Sequence, residues 1–293
     1  MGNFSNIFAQ TLSKTSSVKG EIKTQFLWNK GSANNGVDSA KRPGIELFIP
    51  YTPGNIKRAA ILILPGGAYR GLAKHEGAPV AELFASKGIV SAVLTYRVAP
   101  NTFPAPYADA ARAIRLLRSM AKELNIDVNK IGIMGFSAGG HLASTIATQP
   151  ELYKDPEDLL GETISSKPDR LILAYPVISF SEFAHLGSVK NLLGEKPDLK
   201  MILHLSNNLQ VNASTPPTFL FHTADDPGVS VQNSILFAQA CLSKNVPVAL
   251  HIYPKGKHGV GLAVNELALK EWPGVLLKWL DDWQFTPLNV KNF

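Results

Sequence analysis

The chain has 293 residues, of which 45% are hydrophobic and 18% charged; this composition fits a globular protein and excludes an intrinsically disordered one. The formal net charge is +6, but the lysines and arginines are scattered, so we predict that no nucleic acid binds. Cys241 is the single cysteine, which excludes an intrachain disulfide and a cysteine-based zinc site. No apolar stretch approaches the roughly 18 residues that a membrane span needs, so none is predicted.

The first segment, residues 1–20, is rich in Ser, Thr, Asn and Gln without periodicity, and it predicts a flexible N-terminal arm. It lacks the basic region and the long apolar region of a signal peptide. The localisation stays open: cytoplasmic as the sequence is written, periplasmic or secreted if a leader has been removed. Residues 21–28 and 44–50 have the character of strands, with a Gly-, Asn- and Ser-rich loop between them.

From residue 59 onward, apolar strands alternate with helical segments. The predicted elements are strand 59–64, helix 77–87, strand 90–96, helix 107–124, a turn at 125–129, strand 130–134, helix 141–147, strand 171–177, strand 218–222, helix 231–244, strand 247–253 and a terminal helix that includes 275–280. Because several strands are apolar throughout, we predict an α/β fold with a mostly parallel sheet and helices on both faces. We predict one domain over 21–293, in which 150–169 is an exposed insertion and 181–217 a small cap over the carboxyl edge of the sheet.

A G-x-S-x-G pattern joins the predicted strand 130–134 to the next helix, in the sequence GFSAGG at 135–140. A serine on a sharp strand-to-helix turn has its hydroxyl pushed out of the sheet, and flanking glycines allow that turn. Ser137 is therefore a candidate nucleophile. Capping of an ordinary helix by Ser137 is the alternative interpretation, and the pattern alone does not decide between the two.

A serine hydroxyl needs a base to accept its proton and a carboxylate to orient that base. Asp226 follows strand 218–222, and we prefer it as the acid over its neighbour Asp225 because it lies deeper in the loop. Asp225 remains the alternative. His258 lies in a glycine-rich loop after the last predicted strand, 32 residues beyond Asp226, and it is the candidate base. The order Ser, Asp, His is the one expected of an α/β-hydrolase.

Two backbone N–H groups are needed to bind the oxyanion of an acyl intermediate. One is expected from Ala138, the residue after the serine, and the other from Gly67 or Ala68, in the loop after the apolar strand 59–64. A plain Gly-Gly turn is the alternative interpretation of that loop. Among the other histidines, His141 is expected to be a buried hydrogen-bonding residue, and His75 either lines the pocket or has a structural role.

Taken together, these motifs resemble those of bacterial α/β-hydrolases of the acetylxylan-esterase and feruloyl-esterase-like group, over about 27–279. The motifs are PGGAY at 65–69, HEG at 75–77, YR at 96–97, GFSAGGH at 135–141, YPV at 175–177, HTADD at 222–226 and GKHG at 256–259. The resemblance implies hydrolysis of acyl esters, with acetyl groups on plant polysaccharides or oligosaccharides as the expected substrate, without a cofactor or a metal. The chain departs from the group at Ala68, where a third glycine is common, and at Ser230, where a proline often follows the valine.

We therefore expect a serine carboxylesterase acting on a small-molecule or oligosaccharide ester such as acetylated xylan. A serine peptidase of the prolyl-oligopeptidase type shares the order of the triad, although the chain has no room for the β-propeller of such peptidases. A binding protein that kept the fold and lost the chemistry is the third alternative. The acyl group, the sugar and the oligomeric state stay open.

Overall fold

The computed structural model describes residues 13–14, 20–29, 42–51 and 56–284. Most of the predicted arm 1–20 lies outside the described residues, as does most of the loop that precedes the second predicted strand. Among the described residues, no helix combines the length and the apolar character that crossing a bilayer requires.

The described residues form one nine-stranded sheet. Its strands are β1 (Ser13–Lys14), β2 (Gly20–Phe26), β3 (Gly44–Pro50), β4 (Arg58–Leu64), β5 (Val90–Thr95), β6 (Ile126–Phe136), β7 (Arg170–Ala174), β8 (Thr218–Thr223) and β9 (Val248–Tyr253). They lie in the order β1-β2-β3-β5-β4-β6-β7-β8-β9, with β1, β2 and β3 antiparallel to their neighbours and the remaining pairs parallel.

Different helices cover the two faces of the sheet. The helices are α1 (Ala78–Ser86), α2 (Ala105–Ser119), α3 (Ser137–Thr148), α4 (Leu186–Leu193), α5 (Leu199–His204), α6 (Gln232–Ser243) and α7 (Trp272–Gln284). Buried side chains of α2, α3 and α6 form one apolar core, and those of α1 and α7 form a second. The strands whose sequences are apolar throughout are thus covered by helices on both faces of the sheet. The predicted α/β-hydrolase fold is confirmed.

The order of the strands indicates where on the edge of the sheet a ligand would bind. From β4 the chain moves to β5 on one side and then to β6 on the other side. In open α/β sheets, ligands bind outside the carboxyl ends of the strands, where the chain changes direction in this way. Here that point lies between the loop that follows β4 and the turn that follows β6.

One local prediction is wrong, and a second is correct only in part. The predicted turn at 125–129 contains the start of β6, because Ile126 already pairs with Arg58; the turn is made at Asn125, whose φ is 52°. The loop 150–169 is not simply exposed, since the carboxylate of Asp158 is buried against the guanidinium groups of Arg112 and Arg115 in α2. The polar sequence of this loop does not indicate the ion-pair cluster, because burial of a charge depends on partners that are distant in the chain.

The segment predicted to be a cap, 181–217, contains α4 and α5. Asn191 in α4 donates its amide to the carbonyl of Ala68, with 2.8 Å between Nδ2 and O. Hence α4 lies beside the loop that follows β4. The outer side of the segment carries exposed leucines, among them Leu186 and Leu199.

Candidate active site

The turn between β6 and α3 is built by close backbone contacts. Ser137 is the first residue of α3, with a φ of 50°, a left-handed conformation that a non-glycine residue rarely adopts. A Cβ on Gly139 would lie 2.2 Å from the carbonyl oxygen of Leu64, and one on Gly135 would lie 2.2 Å from that of Gly139. Only glycine fits at either position, so the turn can present the Ser137 side chain at the edge of the sheet.

Three polar side chains meet at this edge. The Ser137 hydroxyl lies 2.8 Å from Nε2 of His258, and Nδ1 of His258 lies 2.8 Å from Oδ2 of Asp226. Because a carboxylate only accepts hydrogen bonds, Nδ1–H donates to Asp226, which leaves Nε2 free to accept from the serine. The chain of contacts therefore allows the imidazole to take the hydroxyl proton while the carboxylate holds the ring.

Asp226 is held by several donors. Its Oδ1 accepts from the N–H of Gly228 at 2.7 Å and from that of Val229 at 2.9 Å. Burial alone raises the pKa of this carboxyl, but hydrogen bonds from His222, His258 and the Val229 N–H outweigh burial and hold the pKa well below its ordinary value. Asp226 is thus ionised at neutral pH, in the state that an imidazole N–H needs as its acceptor.

Asp225 has a different place. It is exposed, and its Oδ1 accepts from the N–H of Gly256 at 2.8 Å. The structure therefore brings Asp226, and not its neighbour, to His258. Asp225 instead ties its own loop to the loop that carries the histidine.

The loop after β4 is held by side chains from four directions. Tyr96 donates its hydroxyl to Pro65 at 2.6 Å, Glu76 accepts from the Gly66 N–H at 2.7 Å, and Tyr69 lies 2.8 Å from Nδ1 of His141. The Ala68 carbonyl accepts from the α4 amide described above. None of these contacts uses the N–H group of Gly67 or of Ala68.

Among the described residues, none accepts a hydrogen bond from the N–H of Gly67 or of Ala68. Gly67 has a φ of 128° and Ala68 a φ of 54°, so the backbone turns sharply at both. The N–H of Ala138 lies in the first turn of α3, where no intrahelical acceptor exists. These three residues are the oxyanion donors predicted from the sequence: Gly67 and Ala68 line the same pocket as Ser137, and Ala138 directly follows Ser137 in the chain.

Glu76 and Tyr175 are two residues of this site to which sequence analysis assigned no role. The Glu76 carboxylate is buried and also accepts from the Tyr175 hydroxyl at 2.8 Å. Burial raises the pKa of Glu76, and the hydrogen bonds from Tyr175 and Gly66 offset this only in part. The motifs HEG and YPV contain these two residues, but the motifs do not show that Glu76 is buried, since acidic residues just before a helix are common on exposed surfaces.

A pocket of about 590 Å³ opens beside the serine. Its lining combines polar or charged side chains with glycines and alanines: Gly67, Ala68, Arg70, Ala73, His75, Glu76, Ser137, His185, Gly187, Lys190, Asn191, His258 and Gly259. His75 lines the pocket, and its Nε2–H donates to the carbonyl of Gly259 at 2.9 Å. His141 is fully buried, as expected for a hydrogen-bonding residue of the core. Within the described part of the chain, no group of three or more His, Cys, Asp or Glu side chains is placed to hold a metal ion.

Comparison with known families gives a match to the BD-FAE family model over residues 46–241, more than half of the chain. The chain belongs to the BD-FAE family of α/β-hydrolases. The matched segment contains Ser137 and Asp226 but ends before His258, so the placement of the histidine in this BD-FAE protein comes from the geometry described above.

Several relatives of this BD-FAE protein are known. It is 37% identical over 233 residues to endo-1,4-beta-xylanase B of Butyrivibrio fibrisolvens, covering 78% of this chain and 36% of the relative. It is 36% identical over 224 residues to an acetylxylan esterase of Xylanibacter ruminicola, covering 74% of this chain and 44% of the relative. The chain thus spans less than half of the length of these two curated relatives.

A crystal structure of an acetyl ester-xyloside bifunctional hydrolase from Caldicellulosiruptor lactoaceticus superposes with a TM-score of 0.83 at 44% sequence identity. The alignment covers 92% of this chain and 98% of that one. The family that the sequence motifs suggested is therefore confirmed, together with its fold.

Proposed function

We propose that this chain is a serine esterase that removes short acyl groups, acetyl above all, from sugars derived from acetylated xylan. The observation that carries the proposal is the unbroken contact from Ser137 through His258 to Asp226, beside backbone N–H groups that have no acceptor among the described residues. An acyl ester has an electrophilic carbon that the serine can attack and a carbonyl oxygen that can accept from these N–H groups.

The proposed reaction has two halves. The Ser137 oxygen attacks the ester carbonyl carbon while Nε2 of His258 takes its proton, and the resulting oxyanion accepts from the N–H of Ala138 and of Gly67 or Ala68. Collapse breaks the bond to the sugar oxygen, which receives the proton from His258. Water then attacks the acyl-serine while His258 takes its proton; the bond from the acyl carbon to the Ser137 oxygen breaks, the acid leaves, and His258 returns the proton to the Ser137 oxygen. Asp226 orients the imidazole throughout and stabilises its positive charge.

The lining of the pocket supports a sugar as the alcohol. Donors such as Arg70, Lys190 and Asn191 match sugar hydroxyls, whereas the lining contains no large aliphatic or aromatic side chain that would hold a long acyl chain. Two of these donors belong to α4, so we also propose that segment 181–217 serves as a cap that contacts the sugar. Two of the relatives, the acetylxylan esterase and the acetyl ester-xyloside bifunctional hydrolase, are named for activities that agree with this choice.

The test is the hydrolysis of a substrate panel by the wild type and by Ser137→Ala. The panel contains acetylated xylo-oligosaccharides, acetylated monosaccharides, feruloyl esters, 4-nitrophenyl esters of rising chain length and a proline-linked peptide amide. We expect the acetyl esters to be preferred and Ser137→Ala to lose about 10⁴-fold or more in kcat. Ser243→Ala, which removes an exposed hydroxyl in α6, is the matched control and should keep full activity.

A Ser137→Ala protein as fast as the wild type contradicts the proposed nucleophile. Preference for long acyl chains contradicts the sugar assignment alone, and cleavage of the peptide amide in preference to any ester points to the peptidase. If Ser137 also fails to react with a fluorophosphonate, the binding-protein alternative is favoured.

A further inference from the structure

We propose that Glu76 and Tyr175 are positioning residues: together they form a bridge that holds the loop donating to the oxyanion at a set distance from the loop that carries His258. The inference rests on the proposed esterase function and concerns how the two sides of that site are kept together. Neither residue needs to touch the reacting atoms.

The direction of each hydrogen bond in the bridge is determined by chemistry. Gly66 and Gly261 contribute N–H groups, which only donate; the Glu76 carboxylate only accepts. The Gly261 N–H donates to the Tyr175 oxygen at 2.8 Å, Tyr175 O–H donates to Oε1 of Glu76 at 2.8 Å, and the Gly66 N–H donates to Oε2 at 2.7 Å. The bridge therefore joins the residue before Gly67 to a residue three positions after His258.

Packing reinforces the same connection. A Cβ on Gly66 would lie 2.9 Å from Oε2 of Glu76 and 2.9 Å from Cβ of Ser137, so the carboxylate and the nucleophile both pack closely against the backbone of Gly66. The Tyr175 ring meets the His258 imidazole edge to face, with 5.1 Å between their centroids. Displacement of the carboxylate would consequently move the oxyanion donors on one side and the imidazole on the other.

Placing Glu76 and Tyr175 at these positions costs free energy of folding. Glu76 is 2% exposed, and Tyr175 has a left-handed φ of 37°, which strains a bulky residue. An apolar pair could fill the same space, but it would leave the N–H groups of Gly66 and Gly261 without acceptors. The presence of a buried charge and of a strained tyrosine at this place is explained when the two residues together fix the spacing of the two loops.

The experiment compares Glu76→Ala, Glu76→Gln and Tyr175→Phe with the wild type. Titration of reactive serines with a fluorophosphonate counts the competent sites, and kcat and KM for 4-nitrophenyl acetate are then given per titrated site. Asp158→Asn is the matched control, because it also alters a buried carboxylate but one that contacts Arg112 and Arg115 and does not line the pocket.

We expect Glu76→Ala to lose about 100-fold in kcat, since misplacement of catalytic groups by about 1 Å has effects of that size, with little change in KM. Glu76→Gln retains an acceptor for one donor and the shape of the side chain, so it should recover about tenfold of that loss. Tyr175→Phe keeps the ring and loses only the hydroxyl; about a tenfold fall in kcat is expected. Asp158→Asn should lose stability but keep its kcat per site.

The inference is overturned if Glu76→Ala keeps the wild-type kcat per site, if only its KM changes, or if Glu76→Gln is as slow as Glu76→Ala. It is also overturned if Asp158→Asn loses kcat to the same degree. Should Glu76→Ala not fold, Tyr175→Phe decides, and an unchanged kcat there contradicts the bridge. A wild type that hydrolyses no ester overturns the proposed function and this inference with it, whereas an active wild type beside an unaffected Glu76→Ala overturns the inference alone.

Discussion

The site has two halves that are held in different ways. The nucleophile half, residues 65–69 and 135–140, has a turn that is buried throughout and shaped by backbone contacts that only glycine permits. The acid–base half, residues 223–229 and 254–261, consists of largely exposed or half-buried loops. They are joined by the hydrogen bond between His258 and Asp226 and by the one that the Gly256 N–H donates to Asp225. The turn at 135–140 is therefore part of the core, whereas the loops of the acid–base half lie largely at the surface.

This difference has a consequence for mutation. Changes in the nucleophile half should reduce the free energy of unfolding, because backbone in a packed core cannot move aside. Changes in the acid–base half should reduce activity and leave the fold intact, because exposed loops relax around a substituted side chain.

The largest effect is expected in the acid–base half. Asp226→Asn should lower kcat by about 10⁴-fold, because an amide NH₂ facing Nδ1 favours the wrong tautomer of His258. Asp225→Asn keeps an acceptor for Gly256 and should remain close to the wild type. Kinetics with 4-nitrophenyl acetate measure both, and thermal melts show whether each protein is folded. A larger loss in Asp225→Asn than in Asp226→Asn would reverse the assignment of the acid.

In the nucleophile half, Gly139→Ala should cost about 3 kcal/mol of unfolding free energy, measured in urea, since its Cβ would overlap the Leu64 carbonyl. Gly274→Ala is the matched control: it lies in α7, and a Cβ there meets no atom within 4 Å. The control should be stabilised slightly, by about 0.5 kcal/mol. Equal stability of the two variants would refute the claim that close contact shapes the turn.

A smaller effect is expected for a glycine substitution in the acid–base half. Gly228→Ala would place a Cβ 2.8 Å from Cγ of His258, so the imidazole must shift. We expect about a tenfold loss in kcat from this misalignment, with unfolding free energy within about 1 kcal/mol of the wild type. An unchanged kcat, or a loss of stability as large as that of Gly139→Ala, would contradict the distinction between the halves.

The last prediction concerns the dependence of stability on pH. His141 is neutral because Nε2–H donates to the Leu205 carbonyl while Nδ1 accepts from Tyr69, and burial lowers its pKa to about 4. The unfolded chain, with a pKa near 6.5, binds more protons in between, so stability should fall as the pH drops from about 6.5 to about 4.

The contribution of His141 to that slope is at most about 1.4 kcal/mol per pH unit. Urea titrations between these pH values should show a steeper loss for the wild type than for His141→Gln, and the two curves should run parallel above pH 7. Identical slopes in the acid range would mean that His141 does not titrate as its burial requires.

Much of the site could be predicted because its signals are local. G-x-S-x-G specifies a turn from five adjacent residues, and Asp226 and His258 each follow an apolar strand whose end a parallel sheet brings to the same edge. The catalytic roles of these residues remain predictions that the variants above test. The choice between Asp225 and Asp226 was weaker, since neighbouring aspartates differ only in the direction in which the folded loop points them.

By itself, the sequence determined the family, the fold and the candidates for the triad, because periodicity and motifs act over a few residues. Only the tertiary structure revealed the buried Glu76–Tyr175 bridge and the Asp158 ion pairs. Burial and the partner of a charged side chain depend on segments that are far apart in the chain, and nothing in the letters around residue 76 encodes which N–H groups the folded backbone will bring to it.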